Sequence, residues 1–178
     1  MVSIQPGPAL DLAREGLHPH RVLVRGRLVG VISDTHGLIR PQALDALRGC
    51  AQIVHAGDVG SAAVLTALRE IAPVVAVRGN VDREVWAYGL PKTAVVEVGA
   101  ARLYVLHDLY ALDLDLKASG FAAAISGHSH RAAVSRRDGL LYLNPGSAGP
   151  ARLGLSVSVA RLRVDGSCLE AEVLELAV

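Results

Sequence analysis

Residues 28–37 read LVGVISDTHG. A short apolar run of this kind is the mark of a buried strand. It closes on Asp34 and His36, two metal-type side chains, with Gly37 behind them. The same design recurs downstream. AQIVHAGD (51–58) is an apolar run ending on Asp58, and PVVAVRGN (73–80) is another ending on Asn80. Helical segments separate them. Pro41 opens PQALDALRG, with proline in the first turn and Gly49 at the end. SAAVLTALREIA (61–72) is amphipathic. Strand, helix, strand, helix, strand predicts right-handed βαβ units and a parallel sheet.

The second half changes character. TAVVEV, Gly99-Ala100 and ARLYVLHD read as a β-hairpin that delivers His107 at its end. LDLDLKASG (112–120) reads as a short helix, and FAAAISGHSH as a strand running into a loop with His128 and His130. AAVSRR and LLYLNPG flank Asp138-Gly139, a favoured hairpin turn. LSVSVARLRVDG and SCLEAEVLEL form a further pair around Asp165-Gly166. A parallel half joined to a hairpin-rich half predicts two packed sheets with helices outside. Residues 1–26, broken by Pro6, Pro8 and Pro19, read as an N-terminal extension, with His18 and His20 solvated within it. Residues 27–178 read as a single domain.

Composition narrows the function. The 178 residues are 51% hydrophobic but only 3% aromatic, so aliphatic side chains build the core. A net charge of +1, with scattered basic residues, gives no field for gripping nucleic acid or anionic lipid. No apolar run approaches the roughly 18 residues of a membrane span, and no signal peptide is read, so the expected location is the cytoplasm. Cys50 and Cys168 stand far apart without CxxC spacing, and read as small core residues of a reducing compartment.

The metal-type residues gather where strands end, and α/β sheets collect ligands beyond the carboxyl ends of their strands. Asp34-x-His36 and His128-x-His130 are i, i+2 pairs, which in extended chain point the same way and reach a common ion. Carboxylate, imidazole and amide oxygen suit Mn, Fe, Zn or similar divalent ions, and the absence of thiolates argues against a structural zinc site. Singly, each residue has a blander reading. Asp34 and Asp58 also read as helix caps, Asn80 and Asp82 as turn residues, and His107 as a core histidine. Jointly, D-x-H, G-D, G-N-x-D, a strand-terminal His and G-H-x-H form an ordered set.

VISDTHG, IVHAGD, VRGNVD, the strand ending at His107, ISGHSHR and LYLNPGSAG together resemble the calcineurin-like metallophosphoesterase superfamily, and within it the small YfcE-like phosphodiesterases. The resemblance implies an α/β fold, a four-layer α/β/β/α sandwich of two mixed sheets with flanking helices. It implies two divalent metal ions, with Mn the expected identity and Fe, Zn, Ni or Mg as alternatives. Asp34, His36, Asp58 and His130 would hold one ion. Asp58, Asn80, His107 and His128 would hold the other, with Asp58 bridging ions about 3.5–4 Å apart. The implied activity is hydrolysis of a small phosphate diester by a metal-activated hydroxide, without a protein nucleophile. Homo-oligomers, dimers or tetramers, are implied in the same way.

Asn144, Gly146 and Ser147 match an N-P-G-S stretch of that branch and are candidate substrate contacts, although a turn after a strand explains them equally well. Arg131 is a further candidate for meeting a phosphate charge. Two positions depart from the wider superfamily. Val81 replaces a histidine thought to aid leaving-group departure, which predicts a bias towards activated or cyclic diesters. His107 is followed by Asp108 and Leu109 rather than by Gly-His. The competing readings are a scaffold of the same fold, as in a retromer subunit, and a phosphomonoesterase or nucleotide-processing phosphatase.

Overall fold

Strand β1 (Arg27–Ile32) is buried on both faces because its side chains alternate between two cores. Val29 and Val31 enter the core between the sheets, whereas Ile32 enters the core beneath the helices. Gly30 also faces the helical side. A Cβ there would lie 2.6 Å from Leu47 Cδ2, so glycine permits the close approach of helix α1 (Pro41–Leu47). The computed structural model describes residues 27–178, and the extension read over residues 1–26 lies outside them.

The expected βαβ units are present. β1, β2 (Gln52–His55) and β3 (Val74–Ala76) are parallel, linked by α1 and by α2 (Ala62–Arg69). Pro41 stands in the first turn of α1, and the Ser61 hydroxyl caps α2 by accepting the Ala63 N–H. The C-terminal hairpin, β9 (Ser158–Asp165) and β10 (Cys168–Glu175), pairs antiparallel with β1 and extends this sheet to the order β10-β9-β1-β2-β3.

The second sheet contains β4 (Thr93–Val98), β5 (Ala101–Leu106), β6 (Ala123–Ile125), β7 (Ala133–Arg137) and β8 (Leu140–Asn144), in the order β4-β5-β6-β8-β7. Asp138 and Gly139 at the β7–β8 turn both have positive φ, as the tight turn requires. Leu103, Ile125, Leu141 and Leu143 meet Val29, Val31 and Leu162 between the sheets. Each fully buried side chain of this size contributes about 1.5–3 kcal/mol.

Two expectations are corrected. Residues 112–120 do not form an α-helix. Leucine and aspartate alternate there, so no helical stripe of apolar residues exists. Turns replace it, with Asp115 accepting the Ala118 N–H and Gly120 at φ +72°. The outer layer over the second sheet is therefore a 3₁₀ turn (Leu109–Ala111) and these turns, anchored by Leu116 and Phe121. Of the cysteines, Cys50 is buried, but Cys168 is exposed at the start of edge strand β10. Among the described residues no helix is long and apolar enough to cross a membrane.

Candidate metal centre

Five strand ends open onto one rim. Asp34 and His36 follow β1, Asp58 follows β2, Asn80 follows β3, His107 follows β5, and His128 and His130 follow β6. The chain turns sharply there. Asp34, His36, Asp58, His128 and His130 have φ between 47° and 68°, and Asp138 is the only other non-glycine residue with positive φ among the described residues. This corrects the extended-chain reading of the i, i+2 pairs, whose members lie in left-handed turns. Such backbone costs on the order of 1–3 kcal/mol per residue and collects at functional sites.

The ligand atoms gather in two groups, Asp34–His36–His130 and Asp34–Asp58–His107, with Asn80 and His128 beside the second and Asp34 common to both. In the first, the Nε2 atoms of His36 and His130 are 3.2 Å apart, and His130 Nε2 is 3.3 Å from Asp34 Oδ1. In the second, Asn80 Oδ1 lies 3.0 Å from His107 Nε2 and 3.1 Å from His128 Nδ1. Asp58 stands between them, with Oδ2 4.0 Å from His36 Nε2 and Oδ1 3.3 Å from His107 Nε2. Asp34, Asp58, His107 and His130 are buried, whereas His128 is partly exposed.

The donor set fits a divalent cation. His107 Nδ1 donates to the Ala56 carbonyl, 2.8 Å away, so the Nε2 lone pair of the neutral ring faces the oxygens of Asp58 and Asn80. A cation or a proton must reconcile those acceptors. Burial alone lowers the His107 pKa, but the hydrogen bonds to Asp58 and Ala56, and the carboxylates of Asp58 and Asp34, outweigh it and hold it above the ordinary histidine value. Burial alone raises Asp58, but hydrogen bonds from His107 and the Val81 N–H, with the charges of His107 and His36, hold it below the usual carboxylate range. Burial pushes the Asp34 carboxyl up, partly offset by the neighbouring Ser33 hydroxyl and the charge of His107. His130 is pushed down to about 4 by burial, Arg152 and His36, which leaves its ring neutral and able to ligate. Its Nδ1 is the one buried side-chain polar atom without a hydrogen-bond partner among the described residues.

Supporting contacts fix the ligands. A Cβ on Gly79 would lie 2.0 Å from Asp58 Oδ1, and one on Gly127 would lie 2.7 Å from Asp34 Oδ2, so both positions exclude side chains. Asp82, read from sequence only as a turn residue, is buried and accepts the N–H groups of Val59, Gly60 and Gly79 at 2.8–3.1 Å. It clamps the Asp58 loop to the Asn80 loop. His55, unremarked in sequence, is fully buried and kept neutral, its pKa pushed by burial to about 4. Its Nδ1 accepts the Gly57 N–H, so its Nε2–H donates to Thr35 Oγ1, which donates to the Val59 carbonyl. Neither residue has a distinctive spacing. A carboxylate three positions after Gly79 and a histidine within an apolar strand were the available signals.

The candidate substrate contacts divide. Arg131 is exposed on the wall of a cavity beside His128. Asn144 reaches that wall too, but its Nδ2 donates to Gly127 O and Ser129 Oγ, and its Oδ1 accepts the Gly146 N–H. Ser147 is buried and donates to the Asp34 carbonyl. Asn144, Gly146 and Ser147 thus brace the ligand loops from behind. Val81 presents a half-exposed isopropyl group, while its N–H donates to Asp58. The Asp108 carboxylate lies 3.9 Å from His128 Nε2.

Comparison with known proteins agrees with this geometry. The pattern of the calcineurin-like phosphoesterase superfamily domain matches residues 28–167. A probable metallophosphoesterase of Methanothermobacter thermautotrophicus is 38% identical over 164 residues, spanning 83% of this chain and 91% of that protein. A solved structure described as a novel archaeal phosphodiesterase has a TM-score of 0.69 at 22% identity, covering 83% of this chain and 99% of that one. Wild-type Vps29 of Entamoeba histolytica, solved with zinc, has a TM-score of 0.64 at 25% identity, covering 83% of this chain and 98% of that one. The sandwich of two mixed sheets is the fold these proteins share. The chain belongs to the calcineurin-like phosphoesterase superfamily.

Proposed function

We propose that this protein is a phosphodiesterase that works with two divalent metal ions, Mn²⁺ the first candidate. The observation that carries the reading is the position of Asp58, with one carboxylate oxygen towards His36 and the other towards His107. Asp34, His36 and His130 would hold one ion, and Asn80, His107 and His128 the other, with Asp58 common to both. When bound, such ions neutralise charge on phosphoryl oxygens and ionise an attacking water.

The chain's own residues orient and insulate. The Ala56 carbonyl fixes the His107 tautomer, and the Asp82 carboxylate holds the loops of Asp58 and Asn80 in register. This reading calls for no protein nucleophile. Ser33, Thr35 and Ser147 all donate to backbone carbonyls. The half-exposed side chain of Val81, next to Asn80, itself carries no proton to give a leaving group.

The test is hydrolysis of bis-p-nitrophenyl phosphate and of p-nitrophenyl phosphate by metal-stripped protein, with and without Mn²⁺, beside an Asp58→Ala variant. Activity restored by Mn²⁺, faster on the diester and absent from the variant, is the expected result. Metal binding without turnover of either ester would favour the scaffold reading, and faster monoester turnover the phosphomonoesterase.

A further inference from the structure

Asp34 and His107 fix where His128 sits. The His128 backbone N–H donates to both carboxylate oxygens of Asp34, at 3.2 and 3.1 Å, and the main chain turns there at φ +68°. The His128 ring packs edge-on against the His107 ring, with centroids 5.1 Å apart. These contacts leave the ring's own proton undecided. A neutral imidazole carries one proton, on either nitrogen, and only the bare nitrogen can hold a cation.

The two nitrogens face different neighbours. Nδ1 lies 3.1 Å from Asn80 Oδ1, and Nε2 lies 3.9 Å from Asp108 Oδ2. The second separation is longer than a hydrogen bond but within ion-pair reach. With the proton on Nδ1, the ring donates to Asn80, its Nε2 lone pair faces a carboxylate, and the nitrogen beside Asn80 is closed to a cation. With the proton on Nε2, the N–H faces the carboxylate, and the Nδ1 lone pair converges with Asn80 Oδ1 as two donors to a cation. The charge of Asp108 attracts the N–H and repels the lone pair, so it favours the second state.

Asp108 is itself held in place. It precedes the 3₁₀ turn Leu109–Ala111, and its Oδ1 accepts the Tyr110 N–H at 3.0 Å. With Oδ1 occupied by this cap, Oδ2 is the oxygen within reach of His128. Among the described residues no lysine or arginine forms an ion pair with Asp108. His107 is arranged in the same way, its Nδ1–H on the Ala56 carbonyl and its Nε2 towards Asn80. A carboxylate in that role adds charge and raises the basicity of the ligating nitrogen.

Resting on the two-ion reading, we propose that Asp108 is the positioning residue of His128: it holds the ring proton on Nε2 and so presents Nδ1, with Asn80, to the second cation. The side chains are 44% exposed for His128 and 37% for Asp108, so water and salt screen the effect. It belongs at the lower end of the roughly 10–100-fold that such supporting groups contribute to metal affinity.

The test reads the proton directly. Long-range ¹H–¹⁵N spectra of metal-free protein, recorded above the ordinary histidine value of about 6.5, distinguish a ring protonated on Nε2 from one protonated on Nδ1, and His128→Gln identifies the signal. The wild type should carry the proton on Nε2. Asp108→Asn keeps an oxygen to cap Tyr110 and removes the charge. It should shift His128 towards the Nδ1 form. It should also weaken, by about tenfold, the Zn²⁺ equivalent whose binding moves the His128 signals, and leave the other equivalent unchanged. A wild-type ring with its proton on Nδ1 would overturn the proposal. So would an Asp108→Asn variant that keeps the wild-type tautomer or affinity, which would leave Asp108 as a cap of its turn alone. If the wild type takes up a single Zn²⁺, the two-ion reading falls, and the tautomer in the metal-free protein still decides the role of Asp108.

Discussion

The backbone N–H of Val81 donates to Asp58 Oδ1 at 3.0 Å, while Val81, next to Asn80, is 43% exposed. One residue therefore orients Asp58 through its main chain and, in the diesterase reading, offers a leaving group no proton from its side chain. The two roles separate by mutation. Val81→His keeps the N–H and adds a group able to carry a proton. The rate on an alkyl diester such as dimethyl phosphate or adenylyl-adenosine should rise by about 10²-fold, with little change on bis-p-nitrophenyl phosphate. Equal changes on activated and alkyl esters would count against an unassisted leaving group.

Asp82 holds three backbone N–H groups and touches no substrate in this account. Asp82→Ala leaves those buried donors without a partner, at about 1–3 kcal/mol each where water cannot replace it. Metal affinity should fall by about 10–100-fold, as for other residues that support ligands. Calorimetric titration with Mn²⁺ reads this directly, and Asp82→Asn should recover part of the loss. Unchanged affinity in the alanine variant would show that the two loops hold their register without the clamp.

Gly79→Ala tests the packing behind the shared ligand. A Cβ there meets Asp58 Oδ1 at 2.0 Å and the Asp58 N at 2.2 Å, neither of which is a flexible chain end. The substitution should abolish tight Mn²⁺ binding while far-UV circular dichroism keeps the native strand signal. Gly49→Ala, where a Cβ meets nothing within 4 Å but φ is +80°, should cost stability of about 1 kcal/mol and leave metal binding unchanged.

Stability should depend on pH through His55. Its folded pKa, about 4, lies below the ordinary 6.5 because the ring is fully buried. Between these values the unfolded chain holds a proton that the folded chain does not, so stability falls as pH drops from 6.5 towards 4 and levels off outside that window. The full span amounts to roughly 3 kcal/mol. Urea unfolding of metal-free protein across this range should show a shallower slope in His55→Gln. An identical slope would place the acid sensitivity elsewhere.

Much of this was legible in the residues. The runs before Asp34, Asp58 and Asn80 announce buried parallel strands, and the ligand types stand at their ends. Asp138-Gly139 announces its turn. What was hidden depends on tertiary contact. Through left-handed backbone Asp34 and His36 meet in one ligand group while His128 and His130 part to different ones, which no spacing reveals. The LDLDL alternation competes with helix formation, and only packing of Leu116 and Phe121 on the second sheet decides the outcome. Asp82 and His55 look ordinary until their partners from other loops are in place, and Ser147 turns inward to Asp34.

The most direct test of a two-ion diesterase is the rate of bis-p-nitrophenyl phosphate hydrolysis as metal-free protein is titrated with Mn²⁺ under tight-binding conditions, with bound metal counted at each point. The account predicts that activity climbs to its plateau at two equivalents per chain and that Asp58→Ala never reaches it. A plateau at one equivalent, or two equivalents bound without hydrolysis, would contradict it.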